Sequence, residues 1–115
     1  VCINTGGEKV FPEEVEEALK LHPTVNDAVV VGVPDDKFGQ AITAVVEPAA
    51  GASIDEATLI AEVKAHLAPY KAPKRVLVVD TIGRAPNGKV DYKRHLTYAL
   101  DQLGIEPSPI PVANA

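Results

Sequence analysis

At 115 residues the chain has room for one domain with a single modest core, and not for two. Sixteen acidic against eleven basic residues leave a net charge of -5, which argues against a general nucleic-acid binder; the single cysteine, Cys2, excludes an internal disulfide framework and fits a reducing compartment. No run approaches the roughly 18 apolar residues a membrane span needs, and no signal-peptide pattern opens the chain. With 46% hydrophobic residues, 4% aromatic and no Trp, the core is expected to be aliphatic. The chain has no Met and opens on Val1-Cys2-Ile3-Asn4, which reads as the middle of a strand, so it is expected to be part of something longer.

Val1–Asn4 is a short strand, followed by the loop Thr5-Gly6-Gly7-Glu8-Lys9. Pro12 suits the first position of a helix. Glu13, Glu14, Glu16 and Glu17 crowd its first turns, where the helix dipole favours negative charge, and Val15, Ala18 and Leu19 form its apolar stripe. His22-Pro23 ends it. Asp27–Val33 is a β-branched run without alternation, which predicts a central strand buried on both faces. Pro34–Gln40 is a turn-rich connection to a second strand, Ala41–Glu47. Ser53 and Glu56 form a capping-box pattern opening a second helix, whose stripe is Leu59, Val63 and Leu67 with Ile60, and Pro69 stops it. Arg75–Asp80 reads as a third buried strand and Thr81–Gly88 as a polar loop. A last helix starts at about Asp91, with Tyr92, Leu96, Ala99, Leu100 and Leu103 on one face and Gly104 as its stop. The pattern predicts a small α+β domain over residues 1–104: a three-stranded central sheet, three helices and a short N-terminal strand or hairpin. Residues 105–115, rich in proline and without periodicity, read as a disordered tail.

Charge is unevenly placed. Residues 1–62 hold twelve acids and three bases, while all eight bases of residues 63–115 fall between Lys64 and Arg94. Such a run is either a solvated face or a local anion site suited to phosphates rather than to a long polyanion. His22, His66 and His95 are far apart and form no zinc spacing, so no metal site is expected. The loop Gly83-Arg84-Ala85-Pro86-Asn87-Gly88-Lys89 satisfies G-x-x-x-x-G-K, the pattern of a phosphate-binding P-loop. Val90 stands where that loop needs a hydroxyl for magnesium, and Pro86 removes a backbone donor. The alternating strand–helix order of such folds is also missing. Taken alone, the Gly6-Gly7 loop reads as a simple turn, while for Gly83–Lys89 a glycine turn with a surface lysine and a functional loop stay equally open.

Four motifs together carry more. Gly6-Gly7-Glu8-Lys9-Val10-Phe11-Pro12-Glu13-Glu14-Val15-Glu16 resembles the element that opens the C-terminal domain of adenylate-forming acyl-CoA synthetases. Val31–Asp35 with Phe38-Gly39-Gln40 resembles that family's turn between the middle strands. Leu67–Lys74 looks like its Y-K-x-P-K segment, and Arg84–Asp91 like its terminal lysine motif. The resemblance covers about residues 1–103. It implies that a carboxylic acid and ATP give an acyl-adenylate, and that the thiol of coenzyme A then displaces AMP. It implies a large N-terminal domain of the same chain that binds ATP, with Mg2+, and the acid, with this domain as a mobile lid. Lys89 would be the catalytic lysine of adenylation, with Gly88 keeping its loop unobstructed. Gly6, Gly7 and the adjoining Glu8 would face the pantetheine channel of coenzyme A, and Lys9, Lys71 and Arg84 are candidates for phosphate contacts. Asn87 departs from the Ser or Thr that often precedes Gly-Lys in this motif. Two alternatives stay open: the lid of a peptide-synthetase adenylation domain, and a non-catalytic coenzyme A-binding module of the same fold. The expected location is cytoplasmic, or membrane-peripheral through the N-terminal domain.

Overall fold

The computed structural model describes residues 2–106, so most of the proline-rich tail read from the sequence, residues 107–115, lies outside the described residues. The element order is β1 (Ile3–Thr5), β2 (Glu8–Val10), α1 (Pro12–Lys20), β3 (Val25–Asp35), β4 (Gly39–Pro48), α2 (Glu56–His66), a 3-10 turn (Pro69–Lys71), β5 (Arg75–Val78) and α3 (Tyr92–Leu103). Strand β4 is the spine. It pairs antiparallel with β3 along one side; on the other it meets β5 in parallel and, at Gly39, the end of β1. The predicted three-stranded centre with an N-terminal hairpin is therefore what forms.

The β-branched run is buried on both faces, as its lack of alternation predicts. Ala28 and Val30 join Val15, Leu19, Ile42, Leu59 and Val63 in a core under α1 and α2. Val29, Val31 and Val33 face the other way, with Ala41, Val45, Ile82 and Ala99, under α3. Each fully buried aliphatic side chain contributes about 1.5–3 kcal/mol, so the two layers of valines hold helices against both faces of the sheet.

Four expectations need correction. Strand β3 is not central: it pairs with β4 alone and is an edge strand in hydrogen bonding. Its Pro34 sits opposite Gln40 at a position whose N–H would point away from β4, so the missing donor costs no ladder bond. The long connection shrinks to Asp36-Lys37-Phe38, because Asp35 Oδ1 accepts from the N–H groups of Lys37 (2.8 Å) and Phe38 (2.9 Å) and closes the turn. Helix α2 is capped by Asp55, which accepts from Thr58 N–H, rather than by Ser53; Glu56 reaches instead to the N–H of Val76 on β5, 2.8 Å away. Strand β5 is shorter than expected and only half-buried, with Val78 exposed, because it lies on the sheet's other edge. The last helix is as expected: Asp91 caps its start, and Gly104 turns left-handed (φ +65°) at its end, where Ile105 N–H returns to Leu100 O.

Candidate functional site

The loop between β5 and α3 is tied down from its base. Ile82 is fully buried, its N–H donates to Glu47 Oε1 (2.7 Å), and its carbonyl accepts from Arg94 Nη2 (2.7 Å). His95 Nε2 lies 3.0 Å from the same carbonyl. A carbonyl can only accept, so Nε2 carries the proton, and burial holds the imidazole neutral by pushing its pKa below the ordinary 6.5. The hydrogen bond to Ile82 holds Glu47 below the usual carboxylate value.

Farther out, Pro86 occupies the second position of a tight turn, in which Gly88 N–H donates to Ala85 O (2.8 Å) and Ala85 N–H to Lys89 O (2.9 Å). Gly88 takes φ +84°, a conformation that strains any residue with a Cβ. Asn87 Oδ1 accepts from Lys89 N–H at 3.0 Å, so the polar residue before Gly88 binds backbone. The main chain of Lys89 is thus held from two sides. Its ammonium has no hydrogen-bond or ion-pair partner among the described residues, and it stands beside a depression of about 350 Å³ lined with Gly83, Val90 and Arg94.

The glycine loop is a two-residue hairpin. Gly6 (φ +59°) and Gly7 (φ +85°) both lie in the left-handed region that such turns demand, and Thr5 pairs with Glu8 across them. Gly6 N–H donates to Phe38 O (2.9 Å) in the β3–β4 turn. A Cβ on Gly7 would meet nothing within 4 Å, so its backbone is open to an incoming group. Glu8 and Lys9 are exposed on β2. Two ammonium groups stand near the Phe38 ring beside Gly6, Lys74 at 4.4 Å and Lys37 at 5.3 Å from its centre.

The predicted phosphate-contact residues separate into two groups. Lys9 makes no ion pair among the described residues. Lys71 is bound to Glu14 (2.8 Å), which raises its pKa. Arg84 forks onto Asp27, with Nε 2.7 Å from Oδ2 and Nη2 2.9 Å from Oδ1, and also reaches Gly88 O at 3.2 Å. That fork raises the arginine's pKa. Burial alone would raise the Asp27 pKa as well, yet the bonds from Arg84 and Ala28 N–H hold it below 3.8.

Two features escaped the sequence. One is the Lys37–Phe38–Lys74 cluster at Gly6, for which Asp35-x-x-Phe38-Gly39 was the available turn signal. The other is Glu16, an acid on the apolar stripe of α1 four residues after Pro12. It is buried, and it accepts from Val30 N–H (2.9 Å) and from the Tyr92 hydroxyl (2.8 and 3.0 Å). Desolvation pushes the Glu16 carboxyl above its ordinary 4.5 despite those bonds, and burial beside it raises the Tyr92 phenol strongly.

The two loops lie toward opposite ends of β3. The lysine loop is fastened at Asp27, and the glycine hairpin touches the turn that follows Asp35. Eight residues of strand separate these anchors, roughly 26 Å at about 3.3 Å per residue.

This fold has known counterparts. Residues 14–89 match the model of the AMP-binding enzyme C-terminal domain, and the chain belongs to that family. It is 49% identical over 108 residues to a 3-oxocholest-4-en-26-oate–CoA ligase of Rhodococcus rhodochrous, covering 94% of this chain and 19% of the relative. It is 55% identical over 93 residues to a medium/long-chain-fatty-acid–CoA/3-oxocholest-4-en-26-oate–CoA ligase of Mycolicibacterium smegmatis, covering 81% of this chain and 17% of that protein. Among solved structures, a fatty acyl CoA synthetase of Mycobacterium tuberculosis superposes with a TM-score of 0.80 at 31% identity, over 88% of this chain and 20% of the other. An amide bond synthetase, McbA of Marinactinospora thermotolerans, gives 0.79 at 39% identity, over 84% and 20%. The chain spans about a fifth of the length of these relatives.

Proposed function

We propose that the chain is the mobile lid of an ATP-dependent, AMP-forming acyl-CoA synthetase whose larger N-terminal domain binds ATP and the carboxylic acid. In the first half-reaction a carboxylate oxygen attacks the α-phosphorus of ATP, and the bond to pyrophosphate breaks. In the second, the thiol of coenzyme A loses its proton, attacks the acyl carbon and releases AMP. Lys89 offers an ammonium unpaired among the described residues, on a braced main chain, which suits neutralising the charge that gathers at the α-phosphate. The Gly6-Gly7 hairpin offers a backbone without side chains, which suits a narrow channel for a pantetheine arm; Glu8 and Lys9 adjoin it on β2. Gly88 admits the tight turn that carries Lys89. Following the family resemblance, we assign Mg2+ with ATP to the larger N-terminal domain.

The observation that carries this reading is the separation of the loops. Loops anchored roughly 26 Å apart along β3 are poorly placed to serve one reacting centre at once, which fits a domain that turns between the half-reactions. Names of the relatives point to a bulky apolar acid, a fatty acid or a steroid side-chain acid, as substrate. The amide bond synthetase among the similar structures favours a second reading, in which adenylation is retained and an amine replaces the thiol. No helix among the described residues is long and apolar enough to cross a membrane. As part of the same proposal, we place the enzyme in the cytoplasm or at a membrane surface through its N-terminal domain.

In the full-length enzyme, Lys89→Ala is expected to slow ATP–pyrophosphate exchange by roughly a hundredfold, about 3 kcal/mol, and to spare thioester formation from preformed adenylate. Gly7→Leu is expected to do the reverse. Equal exchange rates for wild type and Lys89→Ala would overturn the assignment, and product formation with an amine but not with coenzyme A would select the second reading.

A further inference from the structure

Strand β3 has a free edge. In its antiparallel register with β4, the N–H groups of Ala28 and Val30 point away from the partner strand, and each is taken by a carboxylate: Ala28 by Asp27 Oδ1 (2.8 Å) and Val30 by Glu16 Oε2 (2.9 Å). Each carboxylate also holds a side chain from the far end of the sequence. Asp27 holds the Arg84 guanidinium through both oxygens, and Glu16 holds the Tyr92 hydroxyl through both oxygens. Arg84 lies five residues before Lys89 and Tyr92 three residues after it. Two successive outward donors of one strand, about 7 Å apart, therefore anchor both ends of the lysine loop. Arg84 adds a bond to Gly88 O, directly beside Lys89.

We propose that Asp27–Arg84 and Glu16–Tyr92 form a two-point clamp that positions the Lys89 ammonium, making Asp27, Glu16, Arg84 and Tyr92 positioning residues for adenylation. This rests on the assignment of Lys89 above. A group that acts on a transition state through one ammonium loses up to a hundredfold in rate for a displacement of about 1 Å. The glycine hairpin, at the other end of β3, shares none of these bonds. The clamp thus acts on one half-reaction.

The test uses the full-length enzyme with Tyr92→Phe, which deletes one hydroxyl, Asp27→Asn, and the double variant. Each single change is expected to lower the kcat of ATP–pyrophosphate exchange about five- to tenfold with KM for ATP within about twofold, and the double change about fiftyfold. Thioester formation from preformed adenylate stays at the wild-type rate. Amide exchange at Gly88 and Lys89 accelerates in all three. Arg84→Lys, which keeps the charge and loses the fork, is expected to fall between wild type and Asp27→Asn, and it supplies the measurement if Asp27→Asn does not fold. Wild-type exchange in the clamp variants, alongside a slow Lys89→Ala, would overturn the clamp alone. A parallel fall of both half-reactions would reduce it to a general stability effect and overturn it as well. Wild-type exchange in Lys89→Ala would instead remove the assignment beneath it.

Discussion

Removing the Glu16 carboxylate tests the edge-capping argument at its most buried point. In Glu16→Ala the Val30 N–H loses its acceptor in a place sealed by α1 and α3, and such an orphaned donor costs about 1–3 kcal/mol. The Tyr92 hydroxyl is only half-buried and can turn to water, so its loss adds about 1 kcal/mol or less. The sum is about 1–4 kcal/mol from a total that for a domain of this size is about 5–15 kcal/mol. Glu16→Gln keeps an oxygen for Val30 N–H and offers its amide to the phenol oxygen, and is expected to cost less than about 1 kcal/mol. The pH dependence separates the two. Folded Glu16 holds its proton above the ordinary 4.5 because burial disfavours the anion. The wild type therefore loses stability as pH rises from 4.5 through the raised folded value, a loss that Gln, which does not ionise, escapes. Urea denaturation of wild type, Gln and Ala at several pH values measures all three quantities. Equal stabilities for the Ala and Gln variants at neutral pH would refute the reasoning, since it would mean that Val30 N–H needs no acceptor.

Other outcomes follow from the same geometry. Asp27→Asn is expected to destabilise by about 1.5–3 kcal/mol at neutral pH, the range for hydrogen bonds to charged groups. Because the folded Asp27 value lies below 3.8, this stabilisation is present above 3.8 and is lost as pH falls through the folded value. Denaturation curves for the two proteins should therefore converge in acid; a constant gap down to the lowest pH would contradict the ion pair. Gly32→Ala is expected to cost about 1–3 kcal/mol by overpacking. Its Cβ would stand 2.9 Å from Ile3 Cγ2 and 3.1 Å from Gln40 Nε2, and Gln40 holds the hairpin by accepting from Asn4 N–H. A neutral result in thermal denaturation would mean that Ile3 and Gln40 yield freely.

The acidic first half is explained by use rather than by surface. Six of the twelve acids in residues 1–62 accept backbone N–H groups: Glu16, Asp27, Asp35, Glu47, Asp55 and Glu56. Three of them take outward donors on the outer strands β3 and β5, at Ala28, Val30 and Val76, and an edge so occupied offers less to another chain. The basic stretch divides likewise. Arg84 and Lys71 are held by acids within the domain, whereas Lys89 is unpaired among the described residues.

The sequence by itself determined what depends on neighbours along the chain. The unbroken Asp27–Val33 run dictates burial on both faces, Gly6-Gly7 dictates a two-residue hairpin, and Asp91 and Gly104 bound the last helix. Its four motifs sufficed for the family. Tertiary structure decided which strand is an edge, where each carboxylate goes, and how far apart the two loops stand. Ser53 yields to Asp55 as a cap because Glu56, the other half of the expected box, finds a donor on β5, 20 residues away. Glu16 meets Tyr92 across 76 residues and Asp27 meets Arg84 across 57. Nothing local encodes such pairs. A carboxylate's choice among water, a cation and a buried N–H depends on which groups are desolvated together, and that is settled only when α1 and α3 close over the free edge of β3.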